Sequence, residues 1–180
     1  MAFLGLFGRK RHVRAGYELY TAAVTAAREP YYFETLGVPD TIDGRFDMVG
    51  LYVFLIVHRL HAESKAGADL AQAVFDAMFS DMDFNLRELG VGDMTVGKKV
   101  RAMWEAFNGR ATAYAAPLGA ADRDALAEVV AKNVWRGQPT GQAAHAIASM
   151  MVDQTAHLAR QPLTDLMSGT VNFLPARIAA

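Results

Sequence analysis

Two amphipathic segments joined by a glycine-containing turn lie at the centre of the sequence, between Phe75 and Tyr114. In both segments apolar residues recur at steps of three and four, which is the spacing of one buried helix face. Because the turn between them is short, we predict an antiparallel helical pair whose apolar faces meet. The first stripe comprises Val74, Phe75, Met78, Phe79, Met82, Leu86 and Leu89, and the second comprises Val96, Val100, Met103, Trp104 and Phe107.

The turn itself is predicted from its residue types. Gly90 follows the first stripe, and a left-handed residue that ends a helix is most easily a glycine. Either Asp93 or Thr95 can then cap the second helix by accepting hydrogen bonds from its first free amides.

An almost continuous apolar run, residues 48–57, lies within a predicted helix over residues 45–63 that Asp40 or Asp43 can cap. As a helix the run covers about 15 Å, half of the roughly 30 Å hydrocarbon core of a bilayer, so it does not span a membrane. A helix that is apolar on all sides is typical of the centre of a bundle. We therefore expect this helix to be the axis of the fold, with Gly50 allowing a neighbour to approach closely.

Three further helices are predicted, over residues 14–28, 122–135 and 142–160, with a short helical turn at residues 163–167. No segment shows the alternation of a strand. The sequence thus predicts an all-α, single-domain bundle of about six helices. We divide it into an N-terminal segment 1–14, a main helical domain 15–137, and a C-terminal helix and tail 138–180. The aromatic residues Tyr31, Tyr32 and Phe33 are expected to fill part of the core.

The N-terminal segment combines short apolar and basic stretches, in the reverse of the order found in secretory signals. Two interpretations stay open. The segment either packs on the body of the protein or forms a weak, reversible contact with an anionic membrane surface. The residues concerned are Phe3, Leu4, Leu6 and Phe7, followed by Arg9, Lys10, Arg11 and Arg14.

Composition removes several classes of function. The net charge of −1 provides no general attraction for nucleic acid. The chain has no cysteine, which excludes disulfides, thiolate metal sites and cysteine nucleophiles. No phosphate-binding loop or nucleophile-elbow motif occurs, so we assign no catalytic residue and no cofactor.

Two sets of residues in the sequence are candidate metal sites. The sequence Asp81-x-Asp83-x-Asn85 begins like a calcium loop, but Leu86 and Gly92 stand where the loop requires glycine and glutamate. A second possible set for zinc or iron joins two histidines one turn apart to an acidic residue and histidine on another helix. That set is His58, His61, Asp153 and His157. We assign no metal, because helix-end histidines bonded to solvent or to the backbone explain this pattern better.

An ordered set of short motifs between residues 32 and 135 resembles the ubiquinol–cytochrome c chaperone family, in its α-proteobacterial form. The motifs are Phe79, Asp81, Leu86-Arg87-Glu88, Gly90-Val91-Gly92-Asp93, Lys98-Lys99, Phe107-Asn108-Gly109-Arg110, Tyr114, Asn133 and Trp135. The resemblance implies a non-enzymatic, all-helical factor for the assembly of respiratory complex III. It also implies contact with newly made cytochrome b or another subunit of that complex, with a second assembly factor as a further candidate partner. No long targeting extension precedes the domain, which favours a bacterial cytoplasmic protein peripheral at the inner membrane; a eukaryotic form would act on the matrix side. The segment after Gly137 has no counterpart in the resemblance.

Charged residues flank the predicted turn, and we expect this charged face to dock partners. Acidic side chains would meet the Lys- and Arg-rich cytoplasmic loops of a membrane client, and basic ones anionic lipid or a second factor. The candidate residues are Asp81, Asp83, Arg87, Glu88, Asp93, Lys98, Lys99, Arg101 and Arg110. Two alternatives are a solvated face whose charges pair with each other, and a helical binder of an isoprenoid, quinone or haem ligand in a cavity near His58, His61 or His157.

Overall fold

The computed structural model of the protein describes residues 2–63 and 65–176, with side chains from His12 onward. Within those residues it is entirely helical and forms one helical domain, which confirms the predicted fold class. Seven α-helices and one π-helical turn, Tyr31–Thr35, make up this part of the chain. The helices are α1 Ala2–Ala27, α2 Ile42–His61, α3 Lys65–Glu88, α4 Asp93–Gly119, α5 Arg123–Val134, α6 Ala143–Ala159 and α7 Leu163–Met167.

Helix α2 is the axis of the bundle, as its apolar run predicts. It packs against α1, α3, α4, α5 and α6, and every residue from Met48 to Ile56 is buried. Its cap differs from the prediction, because the hydroxyl of Thr41 accepts the hydrogen bond from the Gly44 amide at 3.1 Å. Asp40 instead forms an ion pair with Arg45.

A close approach between helices occurs at Gly16, away from Gly50. A Cβ at Gly50 would lie 3.5 Å from the Phe107 ring, an ordinary contact distance, so the expectation of a close approach there is wrong. At Gly16 of α1 a Cβ would lie 2.6 Å from the backbone carbonyl carbon of Ala73 in α3. Glycine at residue 16 therefore allows α1 to pack directly on the α3 backbone.

Helices α3 and α4 form the predicted hairpin. Gly90 ends α3 with φ of +77°, the left-handed conformation expected of it. Phe107 of α4 packs edge-on against Phe75 and Phe79 of α3. Neither Asp93 nor Thr95 caps α4, because the helix already begins at Asp93 and Gly92 occupies the cap position without a side-chain hydrogen bond.

Helix α1 begins at Ala2, well before the predicted start at residue 14. Of the side chains proposed for membrane contact, those from Phe3 to Arg11 lie outside the described side chains, and Arg14 forms an ion pair with Glu18. Both interpretations of this segment therefore stay predictions. Further along, Tyr32 is buried as expected, and its hydroxyl forms a hydrogen bond with the hydroxyl of Tyr52.

Candidate docking surface

The tip of the α3–α4 hairpin exposes large apolar side chains. Phe84, Leu89 and Met94 are 61%, 64% and 91% exposed, although residues of this kind are usually removed from water. Together with Trp104, they account for four of the seven large hydrophobic side chains that are exposed in the described part of the chain. Concentration of exposed apolar area on one hairpin is typical of an interaction site.

Two of these exposures correct the predicted helix faces. Leu89 and Trp104 belong to the apolar stripes, but neither is buried in the hairpin. Leu89 follows the last residue of α3, where the chain leaves the face that packs on α4. Trp104, 47% exposed, lines a groove between helices instead of the hairpin interior.

An arginine holds the turn together. Arg87 donates from Nε to Asp83 at 2.6 Å and also forms an ion pair with Asp93, the first residue of α4. All three side chains are substantially exposed. The hydrogen bond from Arg87 lowers the pKa of Asp83 below its ordinary value. This group, which we call the turn clamp, pairs charges that were predicted to face partners.

Other predicted docking residues are also engaged. Asp81 accepts a hydrogen bond from the hydroxyl of Tyr20 at 2.6 Å, which links α3 to α1. Burial, followed by this bond, raises the pKa of Tyr20. Arg101 pairs with Glu105 one turn further along α4.

Three predicted docking residues keep exposed charges without an ion pair among the described residues: Glu88, Lys98 and Lys99. Spacing of four residues places Phe84 beside Glu88 on α3 and Met94 beside Lys98 on α4. The tip therefore combines exposed apolar and charged groups of both signs. We call Phe84, Glu88, Leu89, Met94, Lys98 and Lys99 the tip surface.

Arg110 does not belong to the charged outer face on which the sequence placed it. Its side chain is only 18% exposed, and Nη1 lies 2.6 Å from Oδ1 of Asp47 on α2. Arg136 Nη1 donates to the other carboxylate oxygen of Asp47 at 2.7 Å. Burial raises the pKa of Asp47, and the two arginines oppose that shift. We call these three residues the Asp47 cluster.

Several motif residues that carry the family resemblance surround this cluster. Tyr114 is buried, which raises its pKa to about 12, and the indole N–H of Trp135 donates to the carbonyl of Gly37 at 2.8 Å. Tyr114 thus packs α4 against Phe54 of α2, and Trp135, directly after α5, is bonded to the loop that precedes α2. Sequence analysis overlooked Asp47, although an acidic residue directly before the apolar run of the central helix signals a buried charge that requires partners.

A groove of about 510 Å³ lies between α2, α3 and α4. Its walls are largely apolar and include Phe54, Phe75 and Trp104, with His58 and His61 also lining it. Burial, followed by repulsion from His61, lowers the pKa of His58 below 6.5. The groove was not predicted from the helix periodicity, although the alternative of a ligand cavity placed it near these histidines.

The candidate metal ligands are not brought together. Asp153 forms an ion pair with Arg123 at 3.0 Å, and His157 does not line the groove that holds His58 and His61. Among the side chains described within residues 2–63 and 65–176, no group of three or more histidine, aspartate or glutamate residues is arranged to hold a metal ion. Within the same ranges, no helix is both long enough and apolar enough to cross a bilayer.

Known proteins resemble this chain in sequence and structure. A solved structure, described as the Cbp3 homolog from Brucella abortus, is 32% identical with a TM-score of 0.83, and the match covers 97% of each chain. A Xenopus laevis protein named ubiquinol-cytochrome-c reductase complex assembly factor 1 is 25% identical over 122 residues. Those residues are 68% of this chain but 58% of the relative, so the chain spans less than two thirds of the relative's length.

The sequence model of the ubiquinol-cytochrome C chaperone family matches residues 34–173. The match includes the α3–α4 hairpin, the Asp47 cluster and the groove, and it continues past Gly137, where the sequence motifs had ended. Since it covers well over half of the chain, the protein belongs to the ubiquinol–cytochrome c chaperone family.

Proposed function

We propose that the protein is a non-enzymatic assembly chaperone for ubiquinol–cytochrome c reductase and that it binds newly made cytochrome b at the membrane surface. The observation that carries this proposal is the family match over residues 34–173. The name of the Xenopus relative, an assembly factor of the same complex, supports it. The proposed location is the cytoplasmic side of a bacterial inner membrane, where the protein is peripheral.

We place the contact with the client on the tip surface. A chaperone that releases its client needs reversible contacts, and Phe84, Leu89 and Met94 offer apolar area without a deep pocket. Glu88 provides an anionic group for the basic cytoplasmic loops of a membrane protein. Lys98 and Lys99 provide cations for anionic lipid or for a second assembly factor.

The turn clamp and its neighbours support this surface. The ion pairs of Asp83, Arg87 and Asp93 fix the turn next to the exposed apolar residues. Asp81 holds α3 against α1 through its hydrogen bond with Tyr20. Reversing the charge of Asp81 or Asp83 would therefore disturb the hairpin as well as any contact. The surface is tested more cleanly at residues that bond to nothing in the described chain.

Met94→Ser is the sharpest such change. Met94 is 91% exposed, so the free energy of unfolding is expected to change by less than about 0.5 kcal/mol. If Met94 is an anchor for the client, its truncation costs more than about 1 kcal/mol of binding, which is about fivefold in affinity. The measurement is ubiquinol–cytochrome c reductase activity in membranes of a deletion strain that expresses the variant at low level.

Ile42→Ser is the matched control, because Ile42 is 65% exposed but lies at the start of α2. It should restore activity as well as the unchanged chain does. The charge variant Lys98→Glu combined with Lys99→Glu should resemble Met94→Ser, whereas Lys132→Glu on α5 should resemble the control. Normal activity with both tip variants would remove the tip surface from the proposal without affecting the family assignment.

A second candidate function is favoured by the groove, which has apolar walls and two histidines, as a haem or isoprenoid site would. If it binds haem, a titration of micromolar protein should shift the Soret band, and His58→Ala should remove the shift. His157→Ala is the control, because His157 lies outside the groove. A titration without any Soret shift would exclude the haem interpretation.

A further inference from the structure

The chain after α7 is held in a regular way although it forms no helix. Residues 170–176, which we call the strap, run over a cleft formed by α1, α2 and α6, and none of them is buried. Gln161 donates to the carbonyl of Asn172 at 2.6 Å and accepts from its amide at 2.9 Å. Gln154 does the same for Leu174, at 2.8 and 3.0 Å.

The two glutamines thus contact the strap as a neighbouring β-strand would. In an extended chain the amide and carbonyl of alternate residues point to the same side. Asn172 and Leu174 are such a pair, and each has both backbone groups bonded to a side-chain amide. These contacts use no side chain of the strap, so any extended peptide can make them.

One side chain of the strap is recognised by shape. The ring of Phe173 packs edge-on against Tyr52, with 4.9 Å between ring centroids and an interplanar angle of 87°. Gln154, which reads the neighbouring backbone, is fully buried. The cleft therefore combines the side-chain amide of Gln154, which binds the backbone of Leu174, with Tyr52, which contacts the ring of the preceding residue, Phe173.

The strap leaves much of the cleft unfilled. A cavity of about 470 Å³ lies between α1 and the strap, lined by Ala22, Thr25, Ala26 and Glu29 on the α1 side. The strap is held by a few hydrogen bonds, the Phe173 ring and partial packing of Val171 and Ala176 on the core, and none of its residues is fully buried. Segments with so little buried area are among the less stable parts of a fold.

We propose that this cleft is a peptide-binding site and that the strap occupies it in the absence of a partner. The partner it fits is an extended protein segment with an aromatic residue between two residues whose backbones are read by Gln161 and Gln154. The strap competes with that segment, so the site opens only to a peptide that displaces it. This inference does not rest on the proposed function, since the cleft formed by α1, α2 and α6 shares no residue with the tip surface.

The probe is a fluorescent peptide with the sequence of residues 168–176, Ser-Gly-Thr-Val-Asn-Phe-Leu-Pro-Ala, added to the full-length chain. Fluorescence anisotropy should show weak binding to the unchanged protein, because its own strap competes at high effective concentration. Phe173→Ala weakens the strap, so the peptide should bind at least about tenfold more tightly to that variant. Adding Gln154→Ala to it should abolish the gain.

Two N-methylated peptides distinguish recognition of the backbone from non-specific binding. Methylation of the amide nitrogen at the leucine that corresponds to Leu174 removes the hydrogen bond to Gln154, and we expect affinity to fall by about tenfold. Methylation at the phenylalanine is the matched control, because the Phe173 amide donates no hydrogen bond to the described residues. That peptide should bind as well as the unmodified one.

Asn172→Pro provides a second variant if Phe173→Ala fails to fold, because it removes the strap amide that donates to Gln161 and leaves both glutamines of the cleft in place. Absence of peptide binding to a folded variant would show that the strap is a permanent part of the structure and would overturn the proposal. Equal losses with both methylated peptides would overturn backbone recognition. Binding that occurs only as the protein dimerises would assign the cleft to a second copy of the chain and exclude a separate partner.

Discussion

The Asp47 cluster and the turn clamp use the same residue types in opposite environments. In the cluster, the carboxylate of Asp47 is 1% exposed and forms ion pairs with two arginines. In the clamp, the side chain of Arg87 is 46% exposed and forms ion pairs with two aspartates. A buried charge is tolerated only with partners, whereas an exposed pair contributes about 0–1 kcal/mol. Charges near α2 therefore hold the fold, and those at the tip leave a surface available for contact.

Asp47→Ala should produce the largest effect on stability. The variant leaves Arg110 without its carboxylate in a mostly buried position, and losing one partner of a buried pair costs about 3–5 kcal/mol. We expect about 3 kcal/mol, the lower end, because Arg136 is half exposed and regains water. Urea denaturation measures the change.

Asp83→Ala is the control for that change, since it removes an aspartate from an exposed ion pair. Its effect should stay below about 1 kcal/mol. Equal losses in the two variants would show that burial does not distinguish the cluster from the clamp. A double variant with Arg110→Ala would then test whether Asp47 and Arg110 are coupled at all.

The two aspartates should also differ in pH dependence. Burial raises the pKa of Asp47 above 3.8, which means that folding disfavours its ionised form. The contribution of Asp47 to the free energy of unfolding therefore falls as the pH rises from about 3.8 through the pKa of the folded state. Arg87 lowers the pKa of Asp83 below 3.8, so its contribution is present above 3.8 and is lost as pH falls through the folded pKa. Carboxyl carbon NMR titration of both residues measures the directions, and shifts of the same sign would contradict the contrast.

Arg87→Ala should have a small effect on stability, below about 1 kcal/mol, because the pairs it breaks are exposed. Its effect on the tip should be larger, since the link between α3 and α4 across the turn is removed. Amide hydrogen exchange should accelerate at residues 88–94 and remain unchanged around Asp47. Lys65→Ala, which breaks the exposed pair with Asp69 on α3, is the control.

Sequence periodicity was sufficient for the architecture and much less so for side-chain direction. The apolar run of α2 and the position of Gly90 follow from local rules, and both were predicted. Arg110 and Trp104 were assigned to the wrong faces, because their environments depend on Asp47 and on the groove walls, which belong to other helices. A helical pattern identifies an apolar stripe but not where its partner helix ends.

The C-terminal segment shows a different limit. The side chains of Gln154 and Gln161 bind the backbone of the strap. Hydrogen bonds to the backbone do not depend on the strap's own side chains, so its sequence shows no pattern that would predict them. The turn clamp lies between these cases: its charges were identified, but their pairing required the geometry of the turn. Side chains up to Arg11 are outside the described part of the chain, so the membrane contact predicted for the N-terminal segment stays a prediction.

The most direct measurement is the ubiquinol–cytochrome c reductase activity and cytochrome b content of membranes from a strain that lacks this gene. We expect both to fall strongly and to return when the unchanged chain is supplied. Membranes with a complete, fully active complex in the absence of the protein would contradict its proposed role as an assembly chaperone.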